Sequence, residues 1–174
     1  MIRVTVTGSE CTGKTTLARA LGRHYGTVVV PEAARLWVER AGRAPAFDVV
    51  DAIARLHVDL ADEAARRARR LLVHDTDLLS TVVYSRHYYG RCRGWIAATA
   101  GDRAADLYLL ADIDVPWVPD GAARDRGDRR EEVQALFRAE LEALRLRFVT
   151  VHGPHEARMR TATAAIDDLL AVTS

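Results

Sequence analysis

The feature that most restricts the fold is the run GSECTGKTT at residues 8–16, set between the apolar stretch IRVTV and the amphipathic stretch LARALGRHYG. Gly8, Gly13, Lys14 and Thr15 satisfy the phosphate-loop spacing G-x-x-x-x-G-K-[ST], which carries weight when a strand precedes it and a helix follows. Both conditions are met. The two glycines permit a tight turn, so that consecutive N–H groups converge on phosphate oxygens. Those amides open a helix, whose positive dipole end favours an anion. Of the 25 Lys and Arg residues, only Lys14 is a lysine. A compact ammonium suits a position between phosphates, where a planar guanidinium fits poorly. Gly8, Ser9, Glu10, Cys11, Thr12, Gly13, Lys14, Thr15 and Thr16 are therefore read as a nucleoside triphosphate site. In it Lys14 reaches the β- and γ-phosphates and the Thr15 hydroxyl ligates Mg²⁺.

Four more short apolar runs come after the first: TVVV (27–30), RLLVHD (70–75), DLYLLA (106–111) and RFVTV (147–151). Each is too short for an independent helix, and helical patterns lie between them. Together they predict a three-layer α/β fold, a five-stranded parallel sheet covered by helices on both faces. The ligand crevice then lies at the carboxyl ends of the strands. A helix over 46–69 would face inward with Val49, Ile53, Leu56 and Leu60. One over 130–146 would use Val133, Leu136, Phe137, Leu141 and Leu144, and a last one, about 155–171, Met159, Ile166, Leu169 and Leu170. The 174 residues suit one domain with a real core.

Charge and cysteine content narrow the function. A formal charge of +1 gives no broad footprint for nucleic acid. The run Arg66, Arg67, Arg69, Arg70 reads as a solvated helix end, with Asp62 and Glu63 four residues before Arg66 and Arg67. The two cysteines make neither a disulfide framework nor a metal cluster. No signal peptide fits ahead of residue 8 and no apolar run reaches membrane-spanning length, so a cytoplasmic protein without a membrane partner is expected. A guanine-reading N-K-x-D motif is impossible in a chain whose one lysine is Lys14. No L-S-G-G-Q stretch is present, and the length leaves no room for the helical lid domain of ring-forming ATPases. A compact ATP-dependent kinase acting on a small molecule remains, with ATP and Mg²⁺ as its cofactors. Another nucleoside or small-metabolite kinase is the alternative within this class, and a nucleotide-dependent switch the alternative outside it.

Three segments at strand carboxyl ends supply the rest of such a site. In VVVPEAARLW, Glu32 comes directly after the second strand and Arg35 lies about one turn into the next helix. A carboxylate there can orient an acceptor hydroxyl and take its proton late in a loose transition state. It can equally be an acid favoured by the helix N-terminus. In LLVHDTDLLSTVVYSRHYYG, Asp75 closes a strand where a carboxylate can hold Mg²⁺ or its water. If the stretch from residue 77 onward is helical, Asp77, Thr81, Tyr84 and Tyr88 share one face, and Asp77 is the second candidate for the base. His74 and His87 read as structural or surface residues. The third segment, ADIDVPWVPDGAARDRGDRREE, lacks apolar periodicity until Val133. A long loop of this kind is usually functional, and a lid over about 114–130 is expected. Its arginines would neutralise charge on the transferred group and exclude water, with Arg124 and Arg130 favoured over Arg126 and Arg129.

GSECTGKTTLA, VPEAAR, HDTDLLST and DIDVPWVPDGAARDRGDRRE together resemble the ribosylnicotinamide kinase module of NadR-type bacterial NAD-salvage proteins. The resemblance runs over nearly the whole chain. It implies transfer of the ATP γ-phosphate to the 5′-hydroxyl of nicotinamide riboside, giving nicotinamide mononucleotide and ADP. Larger members add an adenylyltransferase domain or a DNA-binding helix-turn-helix, and neither fits this chain. For an acceptor with a cationic pyridinium ring, Trp117, Tyr84 or Tyr88 can stack on the cation. Asp77 or Asp114 can accept ribose hydroxyls. Oligomeric state is not legible.

Overall fold

The structure, a computed structural model, describes residues 1–116 and 129–172. Its centre is the parallel sheet that the apolar runs predict: β1 (Ile2–Thr7), β2 (Val29–Val30), β3 (Leu71–Asp75), β4 (Leu107–Ala111) and β5 (Phe148–Val151). The order is β2-β3-β1-β4-β5, and every pairing is parallel. Around it lie α1 (Lys14–Tyr25), α2 (Ala33–Ala41), α3 (Val50–Arg67), α4 (Leu78–Tyr89), α5 (Gly94–Asp102), α6 (Arg130–Ala143) and α7 (His155–Val172).

Strand periodicity explains the layers. Alternate residues point to opposite faces, and β3 and β4 are buried on both. Val4, Val6, Leu71, Val73, Leu107 and Leu109 meet Leu17 and Leu21 of α1 and Ala162 and Ile166 of α7. On the other face Tyr108 and Leu110 meet Leu79 and Val83 of α4 and Val133, Phe137 and Leu141 of α6. Val30 and Leu72 meet Ala61 and Ala64 of α3. The chain visits β2 and β3 on one side of β1, then crosses to β4 and β5 on the other. The carboxyl end of β1 is thus the switch point at which such sheets bind ligands.

Helix faces are where the pattern misleads. In α3 the buried stripe is Val50, Ile53, Ala54, His57, Ala61 and Ala64, whereas Val49, Leu56 and Leu60 are only half-buried. A histidine and small alanines sit inward because the helix lies close on β2 and β3. In α6, Leu136 and Leu144 are exposed while Gln134 is buried. Helix α5 has no counterpart in the expected elements. Asp62 pairs with Arg103 at the end of α5 (2.6 Å), the principal partner of a carboxylate expected to meet Arg66. The arginine run ends α3 and is exposed at Arg66, Arg67, Arg69 and Arg70. Among the described residues no helix is long and apolar enough to cross a membrane.

Candidate active site

The loop after β1 is held open by its neighbours. Gly8 has φ +124, and a Cβ there would lie 2.8 Å from the Ala111 carbonyl, so only glycine lets the loop rest on the end of β4. Gly13, at φ +78, is the left-handed N-cap of α1. Between them each carbonyl finds a donor. Ser9 O accepts from Lys14 Nζ (2.5 Å) and Thr12 Oγ1 (2.9 Å). Glu10 O and Cys11 O accept from Arg130 Nε and Nη2 (3.2 and 2.9 Å), and Thr12 O accepts from Arg158 Nη1 (2.7 Å). Ser9 N donates to Gln134 Oε1 (2.9 Å), whose amide donates in turn to Ala111 O (3.0 Å). Guanidinium groups thus hold the carbonyls of Glu10, Cys11 and Thr12, while Lys14 and the Thr12 hydroxyl hold that of Ser9.

Beside the loop, Thr15 donates its hydroxyl to Asp75, the last residue of β3. Burial pushes the Asp75 carboxyl up, opposed by that hydrogen bond; Glu32 pushes the same way, and Lys14 and Arg35 oppose. Those five residues therefore interact across the sheet's carboxyl edge. Asp75 Oδ1 and Ser9 Oγ are buried without a hydrogen-bond partner among the described residues. A buried, unsatisfied carboxylate oxygen next to a threonine hydroxyl fits a hard divalent cation, which takes few protein ligands when phosphates and water complete its shell.

An open cleft adjoins the loop, with about 900 Å³ of space when its mouth and the solvent in it are counted. Glu10 reaches it from the phosphate loop, Glu32 from the start of α2, Val50, Ile53 and His57 from α3, and Ser80, Tyr84, Tyr88 and Tyr89 from α4. Tyr84 and Tyr88 stack with centroids 5.8 Å apart and planes at 7°. Tyr89 donates to Pro45 O (2.7 Å), pinning the loop that closes one wall. Thr76 also lines the cleft and has φ +67, a conformation costly for a β-branched residue. The turn it makes separates Asp75, aimed at Thr15, from Asp77, aimed at the start of α4.

Most residues nominated from sequence converge here: the phosphate loop, Glu32, Asp75, Asp77, Tyr84 and Tyr88. Arg35 lies at the edge, 3.4 Å from Glu32. Asp77 departs from its expected use. It is the N-cap of α4, with Oδ1 accepting from Leu79 N (3.0 Å) and Oδ2 from Tyr108 Oη (2.8 Å) and Thr5 Oγ1 (3.3 Å). It is buried, which raises its pKa, and protein donors reach both oxygens. Asp114 does not line the cleft. Its carboxylate pairs with Arg158 and accepts from Gly153 N, beyond β4 and β5. Arg130 stands at the loop, but its guanidinium holds the carbonyls of Glu10, Cys11 and Val115. Arg124 and Trp117 lie outside the described residues. His74 is buried in β3, and His87 lies 3.7 Å from Glu132.

Sequence reasoning missed Arg158, Gln134 and His57. Arg158 and Gln134 act through backbone atoms 146 and 125 residues away, which leaves no local signal. His57 was detectable, since it continues the four-residue spacing Ile53, His57, Ala61.

A strand, a phosphate-cradling loop and a helix at the switch point of a parallel sheet define a phosphate-loop nucleotide-binding protein. A family profile described as AAA domain matches residues 3–158, from β1 into the first turn of α7, and the chain belongs to that family. It is also homologous to NadR: it is 31% identical over 154 residues to the trifunctional NAD biosynthesis/regulator protein NadR of Escherichia coli (strain K12). That alignment covers 85% of this chain but 37% of the relative, so the chain spans just over a third of that protein's length. A crystal structure of NadR protein in complex with NAD and AMP-PNP superimposes with a TM-score of 0.83 at 22% identity, over 98% of this chain and 49% of that one. A second, in complex with NR, gives 0.80 at 24%, over 96% and 51%. At such identities the two structures establish the shared fold.

Proposed function

We propose that this chain is an ATP-dependent ribosylnicotinamide kinase, transferring the γ-phosphate of ATP to the 5′-hydroxyl of nicotinamide riboside. The observation that carries this reading is the juxtaposition of an aromatic-lined cleft with the phosphate loop, Glu32 lining that cleft and interacting with Asp75. The kinship with NadR, and the NR and AMP-PNP named for NadR structures, support the same acceptor and donor.

Each group then has a role. The loop amides and Lys14 hold the β- and γ-phosphates. Thr15 and Asp75 would hold Mg²⁺, which when bound offsets the charge of the phosphate oxygens. Glu32 accepts a hydrogen bond from the 5′-hydroxyl and fixes its oxygen in line with the γ-phosphorus. As the new P–O bond forms and the bond to the β–γ bridging oxygen breaks, the hydroxyl proton passes to Glu32 and ADP leaves. Because the transition state is loose, placement of the hydroxyl matters more than the strength of the base. The tyrosines and Val50 and Ile53 exclude water, which would otherwise take the phosphoryl group. Arg130 acts by holding the carbonyls of Glu10 and Cys11.

The test is an acceptor panel with purified protein, ATP and Mg²⁺. ADP release with nicotinamide riboside, and little with uridine or deoxyadenosine, is expected. Turnover with either of those and none with nicotinamide riboside would overturn the assignment.

A further inference from the structure

We infer that Glu10, a phosphate-loop residue, reads the positive charge of the acceptor ring and so sets acceptor specificity; this rests on the kinase reading. Residues between the glycines of such a loop serve the donor phosphates through their backbone, and a carboxylate there is electrostatically ill-suited to them. Here the carboxylate is turned the other way. Glu10 is 8% exposed, its backbone carbonyl is held by Arg130, and its side chain lines the acceptor cleft. Tyr88 Oη donates to Glu10 Oε1 at 3.0 Å. The Tyr88 and Tyr84 rings run nearly parallel, centroids 5.8 Å apart, so Glu10 marks the aromatic end of the cleft.

The three carboxylates of the cleft differ in what surrounds them. Glu32 has Arg35 beside it and belongs to the hydroxyl end. Asp77 is the helix cap, with both oxygens taken by Thr5, Tyr108 and Leu79. Glu10 is the one placed with the tyrosines, where a flat ring would lie. Aromatic faces attract a cation, and a carboxylate beside them adds an opposite charge in a partly desolvated space. A neutral ring of equal shape gains the packing and loses the charge attraction. The loop thus serves the donor with its amides and the acceptor with one side chain.

The test compares nicotinamide riboside with its reduced dihydro form, which keeps the ribose and carboxamide but has an uncharged ring. Wild type and Glu10→Gln are measured with both, as kcat/KM and as Kd by calorimetry. The substitution is expected to lower the preference for the cationic acceptor by about tenfold or more, the scale of one charge-assisted contact. Because the readout is a ratio, any general damage to ATP binding or folding cancels. An unchanged ratio overturns the role of Glu10. A second arm needs no variant: wild type that binds the neutral riboside as tightly as the cationic one also overturns it. Wild type that phosphorylates neither riboside sinks the kinase reading itself, a separate outcome.

Discussion

The donor loop and the acceptor cleft touch at Glu10 but are built by opposite means. The loop is nine consecutive residues whose backbone we propose as the donor site, with distant side chains (Arg130, Gln134, Arg158) bonded to that backbone. The cleft is side chains from the loop, α2, α3 and α4, brought together by the sheet. A backbone site tolerates a change of acceptor without changing itself. A side-chain site determines which acceptor enters. The donor region therefore defines the class of protein, and the cleft defines which member it is.

The largest expected effect separates the two regions. Glu32→Gln keeps shape and removes the proton acceptor, so kcat should fall about 10²-fold or more while ATP affinity is retained. Steady-state kinetics with a separate nucleotide titration would show it. Unaltered turnover would break the assignment, and Asp77 is poorly placed to take over. A carboxylate that caps a helix and accepts from Tyr108 and Thr5 has little capacity left for a substrate proton.

A smaller effect is expected on the donor side. Arg158 is 4% exposed and donates to Thr12 O, Gly153 O and Asp112 O while pairing with Asp114. Arg158→Met keeps much of the volume and leaves those carbonyls without their donor. Each buried group so orphaned costs about 1–3 kcal/mol. Thermal unfolding should record the loss, and KM for ATP should rise more than KM for the acceptor. Equal changes in both constants would mean that Arg158 supports the fold as a whole rather than the loop.

The same contrast decides what the sequence can reveal. All five strands are legible as short runs rich in apolar residues, most plainly β3 and β4, which are buried on both faces and read LLV and LYLLA. The phosphate loop is legible because its chemistry is local. Tyr84 and Tyr88 emerge from helical spacing once α4 is assumed. Asp77 misleads, although Asp before an apolar run is a standard N-cap signal. Its charge suggests a substrate contact, while its partners are Leu79 N beside it and the hydroxyls of Tyr108 and Thr5. Glu10 reads as a nucleotide contact because it lies in the motif; the direction of its side chain depends on Tyr88, 78 residues later. Arg158 and Gln134 carry no readable signal, because their partners are backbone atoms far along the chain.

The smallest effect at neutral pH concerns the wall behind the cleft. His57 lines both the cleft and a small inner cavity that it shares with His74, Arg3, Asp62, Asp77 and Arg103. The two imidazoles lie 5.8 Å apart. Burial lowers the pKa of His57 to about 4, with the Arg103 charge adding to the shift, and that of His74 to about 3, with His57 and Arg3 adding. Both values lie below the 6.5 of a free imidazole, so the unfolded chain takes up protons before the folded one does. At pH 7 this contributes almost nothing. As pH falls from about 6.5 toward 4, stability should decline with a slope of up to about two protons, levelling only where the folded imidazoles themselves titrate. Urea unfolding at pH 7.5, 6 and 5 measures this directly, and replacing both histidines with glutamine should flatten the slope. An unchanged slope in that variant would shift the acid sensitivity to other groups. It would leave His57 as packing in the wall of the cleft.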